Sequence, residues 1–156
     1  MIELMIPGKG AITLSVLVLD FNGTLALDGR LLESVKEDLK RLSLFMDIHV
    51  LTSDTFGSVE RQCQELPVKV KVLGSLDHTQ EKGDYILTFN PDRVVAVGNG
   101  SNDKIMLEKA GLGIGVIGFE GAFTSTLLSS DIIVNDIKDA FGLLLEPQRL
   151  KATLRR

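Results

Sequence analysis

Four polar clusters in the sequence carry residue types that suit phosphoryl chemistry. The first two are DFNGT at residues 20–24 and TSD at residues 52–54; a lysine at position 82 and GNGSND at residues 98–103 follow. A carboxylate such as that of Asp20 can attack phosphorus and hold the phosphoryl group as an aspartyl-phosphate. Attack by an anion on an anionic phosphate needs positive charge, which oxygen-bound Mg²⁺ supplies.

Each cluster taken alone also has a purely structural interpretation. Asn-Gly dipeptides at positions 22–23 and 99–100 are typical of turns, and Ser53 or Asp54 can cap a helix. Asp103 suits a first helical turn, where the helix dipole favours a carboxylate. The interpretation as a site therefore depends on the four clusters together.

The elements around the clusters predict where they lie. Short apolar, β-branched runs predict strands at 14–19, 48–51, 68–72, 94–97, 112–117 and 132–134. Helical spacing of apolar residues predicts helices near 30–45, 55–65, 77–88, 102–110, 121–129 and 136–146. This alternation is typical of a three-layer α/β fold with a doubly wound parallel sheet, in which ligands bind at the carboxyl ends of the strands. The first 14 residues predict a small hairpin at the edge of a single domain, 1–156.

The order and spacing of the clusters resemble those of the haloacid dehalogenase (HAD) superfamily of phosphohydrolases, over about residues 14–146. TSD, then QEK, then GNGSNDKIML is most similar to the phosphorylation domain of P-type ATPases and to their small soluble relatives. The resemblance implies a Rossmann-like core and an aspartyl-phosphate on Asp20. It also implies that Thr52 donates a hydrogen bond to a phosphoryl oxygen and that Lys82 is a fixed cation beside it.

The site residues expected on this basis fall into two overlapping groups. The candidate Mg²⁺ ligands, direct or through water, are Asp20, the backbone carbonyl of Asn22, Asn99 and Asp103. The candidate phosphate-binding residues, with backbone amides of the first turn included, are Asn22, Gly23, Thr24, Thr52, Ser53, Lys82 and Asn102.

Two positions depart from the pattern of the phosphatases in this superfamily. Those phosphatases carry a second Asp two residues after the nucleophile, which acts as an acid and then as a base. This sequence has Asn22 at that position. Asn99 stands where an Asp commonly binds Mg²⁺, so weaker metal affinity is expected. Three alternatives stay open: a slow phosphatase, a protein that forms a phosphoenzyme, and a phosphate-binding or regulatory module without catalysis.

The intervals between Asp20, Thr52 and Lys82 each hold one helix and its strand, which leaves no room for a cap domain. An open site suggests a phosphorylated macromolecule, a partner that closes the site, or a neighbouring subunit as its lid. The apolar run 141–145 either supports such a homo-oligomer or packs on its own sheet.

Composition narrows the partners and the compartment. The chain has 156 residues, 44% hydrophobic, and a net charge of −4, so we do not expect it to bind nucleic acid. No apolar run approaches the roughly 20 residues that cross a bilayer, and the first residues do not form a secretory signal, so we expect a cytoplasmic protein. No motif in the sequence identifies the physiological phosphorylated substrate.

Several further features favour structural roles. The glycines at 113, 115 and 118 match a dinucleotide-binding pattern literally but lie within a predicted strand, which favours close packing. His49 is expected to be a strand residue, and neither it nor His78 has a second histidine at metal-ligand spacing. Asp28-Gly29 is interpreted as a turn that leads into the next helix.

Overall fold

The strands form one parallel sheet and two small antiparallel pairs. The computed structural model describes residues 1–156. The strands in chain order are β1 (Ile2–Ile6), β2 (Gly10–Leu14), β3 (Val16–Asp20), β4 (Ala26–Leu27), β5 (Arg30–Leu31), β6 (Asp47–Thr52), β7 (Lys69–Val72), β8 (Val94–Gly98), β9 (Leu112–Val116) and β10 (Ile132–Val134). The central sheet has the order β10-β9-β8-β3-β6-β7, and every neighbouring pair in it is parallel. This confirms the predicted doubly wound α/β fold and its six parallel strands.

Helices cover both faces of this sheet. They are α1 (Lys36–Ser43), α2 (Ser58–Cys63), α3 (His78–Ile86), α4 (Lys104–Lys109), α5 (Thr124–Leu128), α6 (Ile137–Leu145) and α7 (Pro147–Leu154). Leu17 and Leu19 of β3 pack into a larger core cluster, whereas Val18 packs into a smaller one that contains Ile86 and Met106. Alternate side chains of a strand point to opposite faces, so β3 is buried on both sides and places Asp20 at the centre of the sheet's carboxyl edge. None of the helices combines the length and the apolar character needed to span a bilayer.

The amino-terminal hairpin is not a peripheral addition at the edge of the domain, as the sequence predicted, but part of the core. Strands β1 and β2 pair antiparallel, and Ile2, Leu4 and Ile6 are buried within the larger core cluster. Helix α7, which was not predicted, packs against β1. The hairpin and α7 together close one side of the core.

The predicted helix near 30–45 begins later than expected. Residues 26–31 form the two-stranded hairpin β4–β5, a single 3₁₀ turn covers Glu33–Val35, and α1 starts only at Lys36. The turn residues Asp28 and Gly29 both have positive φ, 52° and 73°. This is the backbone of a tight two-residue hairpin turn, for which Asp-Gly is a favoured sequence. The dipeptide therefore joins two strands and does not lead directly into a helix.

The structural roles expected for Gly113, Gly115 and His49 are confirmed, whereas Gly118 lies outside β9, in the loop that follows it, with a φ of 61°. A Cβ at Gly113 would lie 2.6 Å from the carbonyl oxygen of Leu107, so the close contact of strand and helix requires glycine there. His49 is buried between the carboxylate of Asp47 and the hydroxyl of Tyr85, at 3.0 and 2.8 Å.

The carboxyl-terminal apolar run packs inside the protein. Phe141 and Leu144 of α6 are buried in the larger core cluster. These two side chains therefore pack on the chain's own sheet, while Leu143 and Leu145 of the same run are half-buried, and a role of the run in a homo-oligomer stays a prediction.

Candidate active site

The four polar clusters meet at the carboxyl edge of the sheet. Asp20 ends β3, Thr52 ends the neighbouring strand β6, and Asn99 directly follows β8 on the other side of β3. Lys82 reaches the same point from the second turn of α3, and Asp103 from the 3₁₀ turn after β8. Parallel strands end at one edge, so residues far apart in sequence are brought into contact there.

Lys82 joins the two carboxylates of the site. Its Nζ lies 2.6 Å from Oδ1 of Asp20 and 2.6 Å from Oδ1 of Asp103. The lysine side chain is 2% exposed and that of Asp103 is fully buried. An ammonium group has three donor protons, so one remains for a phosphoryl oxygen.

Asp103 fixes the turn that follows β8. Its Oδ2 accepts hydrogen bonds from the backbone N–H groups of Asn99 and Gly100, at 2.9 and 2.8 Å. Gly98 leaves room for this carboxylate, since a Cβ at Gly98 would lie 2.5 Å from its Cγ. Both oxygens of Asp103 are thus engaged, so the geometry does not support direct metal coordination by it and leaves a contact through water as the prediction.

Asn99 presents its amide oxygen toward Asp20. Its Nδ2 donates to the carbonyl of Gly121 at 2.9 Å, which orients the other end of the amide into the site. The hydroxyl of Thr24 lies 3.3 Å from both Oδ1 of Asn99 and Oδ2 of Asp20. Two oxygens that share one hydroxyl in this way face the same small space, and that arrangement suits a cation with oxygen ligands.

The turn after Asp20 differs from the phosphate cradle that we expected. The N–H of Gly23 donates to Ala26 at 3.0 Å and that of Thr24 to Phe21 at 3.3 Å, so both amides are used within the turn. Thr24 is also buried and positions Asp20 and Asn99 instead of facing a ligand. Gly23 is required sterically, because a Cβ there would overlap the amide of Asn99.

The side chain of Thr52 is poised to donate a hydrogen bond. Its Oγ1 accepts the N–H of Asp54 at 3.1 Å, which leaves the hydroxyl proton for a phosphoryl oxygen. Asn22 and Ser53 are exposed at the edge of the site and Asn102 is half-buried in the 3₁₀ turn. None of these three contacts Asp20 through its side chain, so their role in phosphate binding stays a prediction.

Asp54 is not free to act as a base. Its carboxylate accepts the backbone N–H groups of Phe56 and Val59, each at 2.9 Å, and these hydrogen bonds lower the pKa of Asp54. The residue shapes the loop between β6 and α2.

The electrostatics of the site favour a bound cation. Burial, and then the negative charge of Asp103, raise the pKa of Asp20 to about 7 despite the opposing effect of Lys82. Burial acts to lower the pKa of Lys82, but the two carboxylates outweigh it and raise that pKa. When Asp20 is ionised, one lysine against two buried aspartates leaves one negative charge uncompensated, and a divalent cation would more than offset it.

The side chains at the site include few groups that could coordinate a metal ion. No group of three or more His, Cys, Asp or Glu side chains in the structure is arranged to hold a metal ion. The direct ligands expected for Mg²⁺, which are the oxygens of Asp20, the Asn22 carbonyl and Asn99, include only one carboxylate and stay a prediction. That Asn99 weakens the metal site stays a prediction.

The hairpin β4–β5 beside the Asp20 turn was missed by the sequence analysis. Gln62 of α2 holds it on one side, since its Oε1 accepts the N–H of Leu31 at 2.8 Å and its Nε2 donates to Gly29 at 3.0 Å. Glu120 holds the turn on the other side by accepting the N–H of Asp28 at 3.1 Å. The Asp-Gly dipeptide was the available signal for this hairpin.

Two proteins of known sequence are similar to parts of this chain. No protein-family model matches the sequence. The chain is 58% identical to MJ0073, an uncharacterized protein of Methanocaldococcus jannaschii, over 67 residues, which are 42% of this chain and 72% of that protein. It is 45% identical to MJ0072 of the same organism over 40 residues, 26% of this chain and 91% of that protein.

Solved structures resemble the chain over most of its length. The 3-deoxy-D-manno-octulosonate 8-phosphate phosphatase of Moraxella catarrhalis, in complex with magnesium, phosphate and KDO, has a TM-score of 0.72 and 17% identity and covers 89% of this chain and 90% of its own. The cobalt-bound phosphatase of Haemophilus influenzae has a TM-score of 0.72 and 14% identity, with coverage of 92% and 94%. At these identities the likeness is one of fold. The chain thus belongs to the family of MJ0073 and has the fold of the HAD superfamily phosphatases.

Proposed function

We propose that this protein is a Mg²⁺-dependent phosphohydrolase or phosphotransferase that works through an aspartyl-phosphate on Asp20. The observation that carries the proposal is the contact of Lys82 with both Asp20 and Asp103 at the carboxyl edge of the sheet, beside Thr52. A carboxylate, a fixed cation and a free hydroxyl proton in one buried cluster match the needs of phosphoryl transfer.

In the first step the carboxylate of Asp20 attacks the phosphorus atom, and the bond from phosphorus to the leaving oxygen breaks. The leaving oxygen takes the bonding electron pair. Lys82 and Thr52 donate hydrogen bonds to the phosphoryl oxygens and stabilise their charge. Asp20, the carbonyl of Asn22 and Asn99 would hold Mg²⁺, which would supply further positive charge beside the phosphoryl group.

In the second step water, or another acceptor hydroxyl, attacks the phosphorus atom and releases the Asp20 carboxylate. The side-chain amide of Asn22 can neither transfer a proton to the leaving group nor accept one from the attacking water. The first step therefore favours leaving groups of low pKa, such as aryl and acyl phosphates, and the second step is slow.

A binding module without catalysis is the second candidate function, and Asn22 is the observation that favours it. In that case the site would hold phosphate or a phosphorylated partner with the same residues. A thermal-shift titration with Mg²⁺ and inorganic phosphate would then show stabilisation, while no phosphate ester would turn over.

The proposal is tested by hydrolysis of p-nitrophenyl phosphate. We expect slow turnover that requires Mg²⁺ and stops in EDTA, and no turnover above background in Asp20→Asn, because the amide of that variant is not a nucleophile. Equal rates in the two proteins would contradict the proposal. Turnover by neither protein, together with stabilisation by phosphate, would favour the binding module.

Restoring a carboxylate at position 99 is expected to strengthen the metal site. Asn99→Asp adds a second directly coordinating charge, so calorimetry should show Mg²⁺ binding at least about tenfold tighter than in the wild type. Asn102→Asp is the matched control, since it adds the same charge to the neighbouring turn outside the proposed ligand set. Equal affinity in Asn99→Asp and the wild type would mean that residue 99 is not a ligand.

A further inference from the structure

The loops around the proposed active site expose large apolar side chains. Phe56 is 88% exposed and follows β6, Leu76 is fully exposed and follows β7, and Phe119, after β9, is 82% exposed. We name as the apolar rim the five exposed side chains on these loops, Phe56, Leu76, Ile117, Phe119 and Phe123. The strand order puts β9 on one side of Asp20 and β6 and β7 on the other, so the rim flanks the site on both sides.

The loop between β6 and α2 ties its rim residue to the site by hydrogen bonds. Phe56 donates its N–H to Asp54, whose own N–H donates to Thr52. On the other side of Asp20, Phe123 donates its N–H to the carbonyl of Asn99 at 2.8 Å.

The loop that carries Leu76 is held in a similar way. Glu81, the residue before Lys82, accepts the N–H groups of Gly74 and Ser75 at 3.1 and 2.8 Å. The loops that carry Phe56, Phe123 and Leu76 are thus held relative to the catalytic groups, and a preorganised surface loses little entropy on binding.

The cleft beside Phe119 of the rim is too small to hold a small molecule. The cleft between the Asp20 turn and the loop after β9, lined by Gly23, Thr24 and Phe119 among others, has a volume of about 10 Å³. That is the space of one water molecule, so it cannot bury an apolar group of a substrate. Apolar side chains that project into solvent around an open site instead suit a broad apolar surface.

The charges around the rim limit which kind of binding partner can present that apolar surface. The loops at this edge of the sheet carry five acidic residues, Asp28, Asp54, Asp77, Glu120 and Asp136. Two basic side chains lie beside them, those of Arg30 in β5 and of Arg61 in α2, which donates to the carbonyl of Phe56. Anionic lipid surfaces attract basic segments, so this edge is unsuited to them. A second copy that docked by the same face would place these acids against one another.

We propose that the apolar rim docks a phosphorylated protein in which apolar and basic residues flank the phosphorylated side chain. The proposal rests on the proposed function, because it assigns the substrate class of the same site. The apolar flanks would pack on the rim, and the basic flanks would face the acidic loops.

The test compares two phosphotyrosine peptides, one flanked by Leu, Phe and Lys and one by Gly, Ser and Glu. The wild type should hydrolyse the first with a kcat/KM about tenfold higher. The triple variant Phe56→Ser, Leu76→Ser, Phe119→Ser should lose about tenfold on the first peptide and keep its rate on p-nitrophenyl phosphate within about twofold.

The matched control is the triple variant Leu44→Ser, Leu87→Ser, Leu128→Ser. These leucines are also exposed but lie where α1, α3 and α5 end, at the opposite edge of the sheet. This variant should behave as the wild type on both peptides. Equal rates on the two peptides in the wild type, or no loss in the rim variant, would overturn the proposal.

Binding measurements separate docking from catalysis. Fluorescence anisotropy would measure binding of the same two peptides to the Asp20→Asn variant. This variant should bind the first peptide more tightly than the second, and it should lose this preference when the three rim substitutions are added. Both results are expected even if the wild type turns over no ester. Absence of turnover alone would contradict the proposed function and not the docking. Rim-dependent binding to phosphatidylglycerol vesicles, or a wild-type dimer that the rim changes dissociate, would overturn the docking of a phosphoprotein.

Discussion

Replacing Asn22 by Asp is expected to raise the steady-state hydrolysis of p-nitrophenyl phosphate at least about tenfold, since general acid–base catalysis typically contributes about 10²–10⁴-fold. The new carboxyl group would protonate the leaving oxygen and then take a proton from the attacking water. Residue 22 is exposed at the mouth of the site and Asp is nearly the same size as Asn, so the fold should not change.

The control for this gain is Asp20→Asn in the same background, which should abolish it, because the two residues act as one unit. The unfolding temperature of each variant would show that the fold is intact. A rate no higher than that of the wild type would contradict the account. Asp54 could not explain such a result as an alternative base, because its carboxylate is already held by two backbone N–H groups.

Replacing Lys82 by Met is expected to lower kcat by about 10²–10³-fold, the usual loss when one group that stabilises transition-state charge is removed. The same change leaves two buried carboxylates without their cation. Breaking a buried ion pair in this way typically costs about 3–5 kcal/mol of stability, so the unfolding temperature should fall clearly in the absence of Mg²⁺. Saturating Mg²⁺ should recover part of that loss.

Lys109→Met is the matched control for the loss of a lysine. Lys109 pairs with Asp84 at 3.1 Å, but that pair lies at the surface, where solvent screens the charges. This variant should keep its activity and nearly its whole unfolding temperature. If Lys82→Met kept more than about a tenth of the wild-type kcat while folded, Lys82 would not be the cation that stabilises the phosphoryl charge.

The fold and the members of the site were predictable because both depend on short-range patterns. Apolar runs mark buried strands, and the polar residues that follow them must meet at one edge of a parallel sheet. Asp20, Thr52 and Asn99 were found in this way, whereas Lys82 lies within α3 and was identified through the resemblance to the HAD superfamily.

The roles of individual atoms were less predictable, because they depend on contacts between distant turns. Asp103 was expected to contact a metal directly or through water, and its bonds to Lys82 and to two backbone amides disfavour the direct contact. The amides of Gly23 and Thr24 were expected to face a phosphate, but the turn uses both of them internally. No spacing rule within one segment shows which lone pairs and protons a neighbouring segment has already taken.

The burial of the hairpin β1–β2 was also outside what a local pattern shows. Alternating residues predict two paired strands, but only the contact with α7 and the sheet decides that one face is buried. In contrast, β4–β5 had a local signal in Asp28-Gly29, whose hairpin geometry the sequence interpretation underestimated.

The central claim is that Asp20 carries the phosphoryl group, and identifying the labelled residue tests it most directly. The protein would be mixed with acetyl phosphate and Mg²⁺, quenched rapidly in acid and digested, and the phosphorylated peptide sequenced by mass spectrometry. We expect one phosphoryl group on Asp20, removed by hydroxylamine as an acyl phosphate is, and none in Asp20→Asn or without Mg²⁺. Turnover with no label on Asp20, or a label on another residue, would contradict the account.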